Sequence, residues 1–144
     1  MEVSEMMAKW LTLSALSVFL ILSLSSAPAQ TQVAVDYGKI LGSWDVEVNA
    51  DGEYYYLSLS IEKSEEGLKG TVSESTGAFS NVALKEIQYD GQTLKFQFSS
   101  PTPPDGLERV VKADFKVGDN KLEGTMAVED LGLSVPATAT KKVK

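Results

Sequence analysis

Tyr55 and Arg109 are the side chains in this sequence best suited to hold a ligand. A guanidinium offers a planar fork of N–H donors that fits a carboxylate, and a phenol adds a hydroxyl. Arg109 is the lone arginine of the chain. With Glu74 at the rim and Phe98 and Met126 below, the pair would grip the anionic head of an amphipathic molecule and take its tail into an apolar bore. The plainer alternative pairs Arg109 with Glu74 in solvent, an arrangement worth little energetically. The bore itself reads two ways. Gly70, Ala113, Gly124 and Ala137 either leave a cavity or make room for Phe96, Phe98 and Phe115.

Composition removes most other chemistry. There is no histidine and no cysteine in the 144 residues. The commonest general base, the commonest metal ligand and the thiol nucleophile are therefore missing. Ser80, Ser99 and Ser134 have no base to activate them. The expectation is a non-enzyme with no cofactor and no metal site. Asp51-Gly52-Glu53 and Asp119-Asn120 lack the alternating ligand spacing of a calcium loop and read as hairpin turns. A net charge of −7 argues against nucleic acid, which requires clustered Lys and Arg.

The elements that would position these residues follow from periodicity. From Trp10 to Leu24 the chain is mostly Leu, Ser, Val, Phe and Ile. As a helix that run would rise only about 22 Å, short for a bilayer core. Ala27 and Ala29 then supply the small residues a signal peptidase reads, so residues 1–29 are expected to be a signal peptide cleaved after Ala29. Retention as an N-terminal anchor is the alternative. Either way the domain is exported, periplasmic or extracellular, and cleavage would leave no stable membrane anchor. Export without cysteine fits a bacterial envelope protein.

Residues 30–41 read as a leader, and residues 42–144 as the domain. From Gly42 onward apolar residues recur every second position. Trp44, Val46 and Val48 form one such run; Tyr55, Leu57, Leu59 and Ile61 form the next. Leu68-Lys69-Gly70-Thr71-Val72 is echoed by Leu122-Glu123-Gly124-Thr125-Met126, and the same offset lays Asp51-Gly52 on Asp105-Gly106 and Tyr55 on Arg109. One hairpin is written twice, giving two related four-stranded halves. A phase shift between Leu84 and Ile87 reads as a bulge in the fourth strand, from Asn81 to Tyr89. The expected fold is all-β, an eight-stranded antiparallel up-and-down barrel, with a β-sandwich as the alternative.

Gly42-Ser43-Trp44 heads the first strand and resembles the G-x-W signature that opens lipocalins and other calycins, avidins among them. The recurring Gly, Leu and Gly-Thr pattern is similar to small secreted bacterial barrels of lipocalin-like type. This likeness spans roughly Ile40 to Lys144. It lacks a second lipocalin motif of the T-D-Y type and the arginine of the last strand. With Trp44 the only tryptophan past the leader, biotin binding is not supported. The resemblance implies a ligand-binding barrel, since carriers and inhibitors both occur in the family.

Connections of a meander alternate between two ends. The turns at Ser64–Gly67, Asp90-Gly91 and Gly118–Asn120 gather at one end. Those at Asn49–Gly52, Ser75–Ser80, Ser99–Gly106 and Asp130–Gly132 gather at the other and are expected to frame the mouth. Trp44 would plug the opposite floor. Tyr54 and Tyr56 point outward beside Tyr55 and, with the connection from Ser99 to Gly106, offer a surface to a protein partner. Two functions therefore stand open: a carrier of a small hydrophobic or amphipathic ligand, and a filled interaction or inhibitor module.

Overall fold

Among the described residues the alternation of apolar and polar residues gives nine strands in one antiparallel sheet. They are β1 (Gly42–Ala50), β2 (Glu53–Ser64), β3 (Gly67–Glu74), β4 (Val82–Ala83), β5 (Lys85–Tyr89), β6 (Thr93–Thr102), β7 (Leu107–Val117), β8 (Lys121–Val128) and β9 (Leu133–Lys141). The structure, a computed structural model, describes residues 34–143. The expected signal peptide lies outside the described residues. Across the sheet the order is β4-β3-β2-β1-β9-β8-β7-β6-β5. Every strand pairs with its neighbours in sequence except β4 and β5, which are the two edges, and β1 pairs with β9 from Trp44↔Lys141 to Val48↔Ala137. The result is a nearly closed barrel.

The expected fourth strand is in fact two, so the count is nine rather than eight. Its first part, β4, pairs with β3 through Thr71↔Ala83 and Val72↔Val82. Its second part, β5, pairs with β6, with the register broken between Lys85 and Gln88 where the bulge was expected. Glu86 takes a left-handed φ of 51° there, and such an insertion bends a strand sharply. Leu84 sits between the two parts. Its N–H donates to the Gly70 carbonyl at 2.9 Å, and its side chain is buried. The sheet's two edges therefore meet at one residue of one continuous segment.

Two glycines of the echoed motif allow strands to approach closely. Gly124 shares the inward phase of Leu122 and Met126, and a β-carbon there would run into the backbone of Asp114 and Phe115 on β7. At Gly70 it would meet the Ser60 carbonyl and, at 2.8 Å, the end of Leu84. The inward register was legible in the sequence. The collision is with the neighbouring strand and the Leu84 closure, not with side chains across the bore.

Alternation along every strand sends one face inward, and those faces close on each other. Trp44, Phe115, Leu94, Leu122 and Ile40 are fully buried. Burying such side chains contributes about 1.5–3 kcal/mol each. At the end carrying the 65–66, 90–92 and 118–120 turns, here the lower end, a 3-10 turn (Tyr37–Lys39) leads into β1. There the Trp44 indole Nε1 donates to the Ile40 carbonyl at 2.9 Å, so the floor is both apolar and satisfied. Tyr37 packs on Tyr89 with ring centres 6.0 Å apart.

Two connections at the upper end differ from expectation. Half of the segment from Ser99 to Gly106 is strand, because β6 continues to Thr102 and β7 starts at Leu107. Only residues 103–106 turn. Asp51 (φ 53°) and Gly52 (φ 91°) make a two-residue turn with both centres left-handed, tighter than the mouth reading supposed.

Candidate functional site

Arg109 occupies the inward phase of β7 one turn from the upper end, and its side chain is only 12 % exposed. Its fork is already filled. Nη1 and Nη2 donate to Asp105 Oδ1 and Oδ2 at 2.6 and 2.7 Å, a bidentate pair. Nη1 also donates to Thr102 Oγ1 at 3.0 Å. The partner is Asp105 of the adjacent turn, not Glu74 as the plainer sequence reading held. The guanidinium hydrogen bonds and the Leu107 N–H hold the Asp105 carboxyl far below the usual carboxylate range, and Asp105 in turn raises the Arg109 pKa.

The other candidates are each engaged locally. The Tyr55 hydroxyl, on the inward phase of β2, donates to Glu53 Oε2 at 2.9 Å, and that bond raises its pKa. Glu74 folds back over its own loop. Its Oε2 accepts from the Thr76 hydroxyl, and from the N–H groups of Thr76 and Ala78 at 2.8 and 3.1 Å. These donors, the Thr76 hydroxyl foremost, lower its pKa. Phe98 and Met126 are buried in the core. Among the described residues, no side-chain hydrogen bond or ion pair joins any two of Tyr55, Glu74, Phe98, Arg109 and Met126.

The bore is occupied by a column of rings. Phe79, from the 75–81 loop, lies 6.0 Å from Phe98; Phe98 lies 6.4 Å from Phe96; and Phe96 lies 6.1 Å from Phe115. Phe96, Phe98 and Phe115 are at most 3 % exposed, so no water-sized space opens beside them. Ser100 and Thr102 continue the inward face of β6 above Phe98 and are also buried. A hollow of about 320 Å³ does exist, but on the outer wall of β9, β1 and β2. Asp45, Glu47, Tyr56, Ser58, Thr138 and Thr140 line it. Lys142 crosses its margin to Asp45 at 3.2 Å.

The exterior is uneven. Tyr54 and Tyr56 are each 52 % exposed, as their outward phase implied. Leu107, Val110, Leu131 and Leu133 are exposed as well, and the strand pattern alone did not mark them. Leu131 belongs to a 3-10 turn (Glu129–Leu131) that packs on β7 and β9. Sequence reading also missed Asp105 as the arginine's partner. The usable signal was an aspartate in a Pro-Pro-Asp-Gly turn, four residues before an arginine on the returning strand. The described residues contain no helix long and apolar enough to cross a membrane, and no group of three or more acidic side chains that could hold a metal ion. Comparison with protein-family models, with curated proteins and with solved structures finds no match to this chain.

Proposed function

We propose that this chain is an exported binding module that works through its exterior, with the barrel filled by its own side chains and no catalytic step. The observation that supports this most is the ring column from Phe79 to Phe115, which leaves the bore no room for a tail. The export reading comes from the pattern of residues 1–29. The lipocalin-like reading rests on Gly42-Ser43-Trp44, with Trp44 as the buried floor. A carrier of an amphipathic anion would need two local structures to dissolve first. Phe79 would have to leave Phe98, and Asp105 would have to release Arg109.

Titration of the protein with a fluorescent fatty acid tests the choice. Wild type and Phe79→Ala are compared at neutral pH. The expected result is no saturable uptake by wild type, and at most weak uptake once the Phe79 ring is gone. One-to-one saturable binding by wild type, lost in Arg109→Met, would overturn the filled-module reading and restore the carrier.

A further inference from the structure

From the distribution of exposed side chains we infer that the upper end is a docking surface for a protein partner presenting an apolar patch rimmed by Lys and Arg. This inference rests on the exterior-acting reading above. Six exposed large apolar side chains, Tyr54, Tyr56, Leu107, Val110, Leu131 and Leu133, lie on the upper part of the barrel; the one other such residue described, Val143, is in the C-terminal tail. Leu107, Val110, Leu131 and Leu133 are gathered where the 3-10 turn packs on β7 and β9, and Tyr54 and Tyr56 extend the arc on β2, beyond β1. Apolar side chains gathered this way on an exported domain mark an interaction site. At the lower end the exposed large side chains are polar or charged apart from Val143 of the tail.

Charge selects the kind of partner. The same end carries Asp51, Glu53, Asp105, Glu108, Glu129 and Asp130, against the cations Arg109 and Lys112. Both cations are spent inside the surface, on Asp105 at 2.6 Å and on Glu129 at 2.8 Å. Among the described residues, no ion pair engages Asp51, Glu53, Glu108 or Asp130. An anionic membrane is repelled by this surplus, and so is the matching end of a second copy. A basic rim around an apolar centre complements it and speeds encounter.

A panel of synthetic 20-residue peptides tests the inference against the full-length mature domain. One alternates Leu with Lys, one alternates Leu with Glu, and one alternates Ser with Lys. The Leu–Lys peptide should bind saturably, at least tenfold more tightly than either of the others. Its affinity should fall several-fold between roughly 50 and 500 mM NaCl, as screening shortens the reach of the carboxylates. Leu107→Ser with Leu133→Ser should weaken it about tenfold, while Lys69→Ser at the lower end changes it less than twofold. Thermal unfolding checks that the exposed substitutions leave the fold intact. Equal binding to wild type and to the double variant would overturn the docking surface. So would equal binding of the three peptides, or preferential binding to neutral phosphatidylcholine vesicles, which would make the arc a lipid contact. The fatty-acid titration separates the two failures. Saturable fatty-acid uptake removes the exterior-acting reading itself, whereas failure with the peptides alone removes only the docking surface.

Discussion

The hairpins β2–β3 and β7–β8 carry the same motif, yet they do different work. Both put a glycine opposite a neighbouring strand, at Gly70↔Ile61 and Gly124↔Phe115. At Gly124 the space a side chain would need is held by β7 backbone alone. At Gly70 part of it is held by Leu84, the residue that brings the two sheet edges together. The upstream turns diverge likewise. Asp51 serves through a left-handed backbone, whereas Asp105 serves through its carboxylate. An echoed sequence thus fixes a register, and its neighbours decide what each copy is for.

The largest effect expected from breaking this comparison is at the glycines. Gly124→Val should cost about 3 kcal/mol, the upper range for overpacking, because backbone cannot step aside. Gly70→Val should cost about 2 kcal/mol, since it meets one backbone atom, the Ser60 carbonyl oxygen, and the end of Leu84 can yield. Urea unfolding of the single and double variants sharpens the point. Leu84→Ala should couple favourably to Gly70→Val by about 1 kcal/mol and add independently to Gly124→Val, as distant sites do. Equal costs with no coupling would mean that Leu84 does not close the sheet.

The aspartates come next. The folded-state pKa of Asp105 lies below its unfolded value of about 3.9. Its contribution is therefore present above pH 4 and is lost as pH falls through that value toward the folded pKa. Asp105→Asn should flatten the acid limb of a urea-midpoint profile taken from about pH 6 to pH 2. An unchanged limb would mean the bidentate pair contributes nothing in solution. At pH 7, Asp51→Asn should leave the midpoint within about 0.5 kcal/mol of wild type, because asparagine tolerates the same left-handed turn.

Tyr55→Phe should have the smallest effect, about 0.5 kcal/mol or less, because the lost hydrogen bond to Glu53 is near solvent. A loss above about 1.5 kcal/mol would show that the hydroxyl has a deeper role than its echo at Arg109 suggests.

What could be read from the residues follows from range. Phase along a strand is local, so the inward positions of Tyr55, Phe98, Arg109 and Met126 and the bulge near Glu86 were all accessible. Pairing across the sheet is not local. Nothing in the period-two pattern tells residue 84 to leave β3 for β6, so one long strand was expected where two exist. Turn extent depends on the same long-range pairing. Proline in Ser99–Gly106 suggested an open connection, yet Pro101 sits within β6, opposite Glu108. Arg109 was recognised by its type, but its partner depended on how tightly residues 103–106 fold back.

The pairing of β1 with β9 also governs how the molecule can be held. Lys142 N–H donates to the Ser43 carbonyl at 2.9 Å, and Lys141 Nζ reaches the Gly38 carbonyl at 3.2 Å. The entering and leaving segments of the described chain thus lie side by side at the lower end. A tether joined to either one leaves the barrel from the floor that Trp44 seals. Immobilised through that point, the domain stands like a post, its upper arc directed away from its support and free to meet whatever approaches.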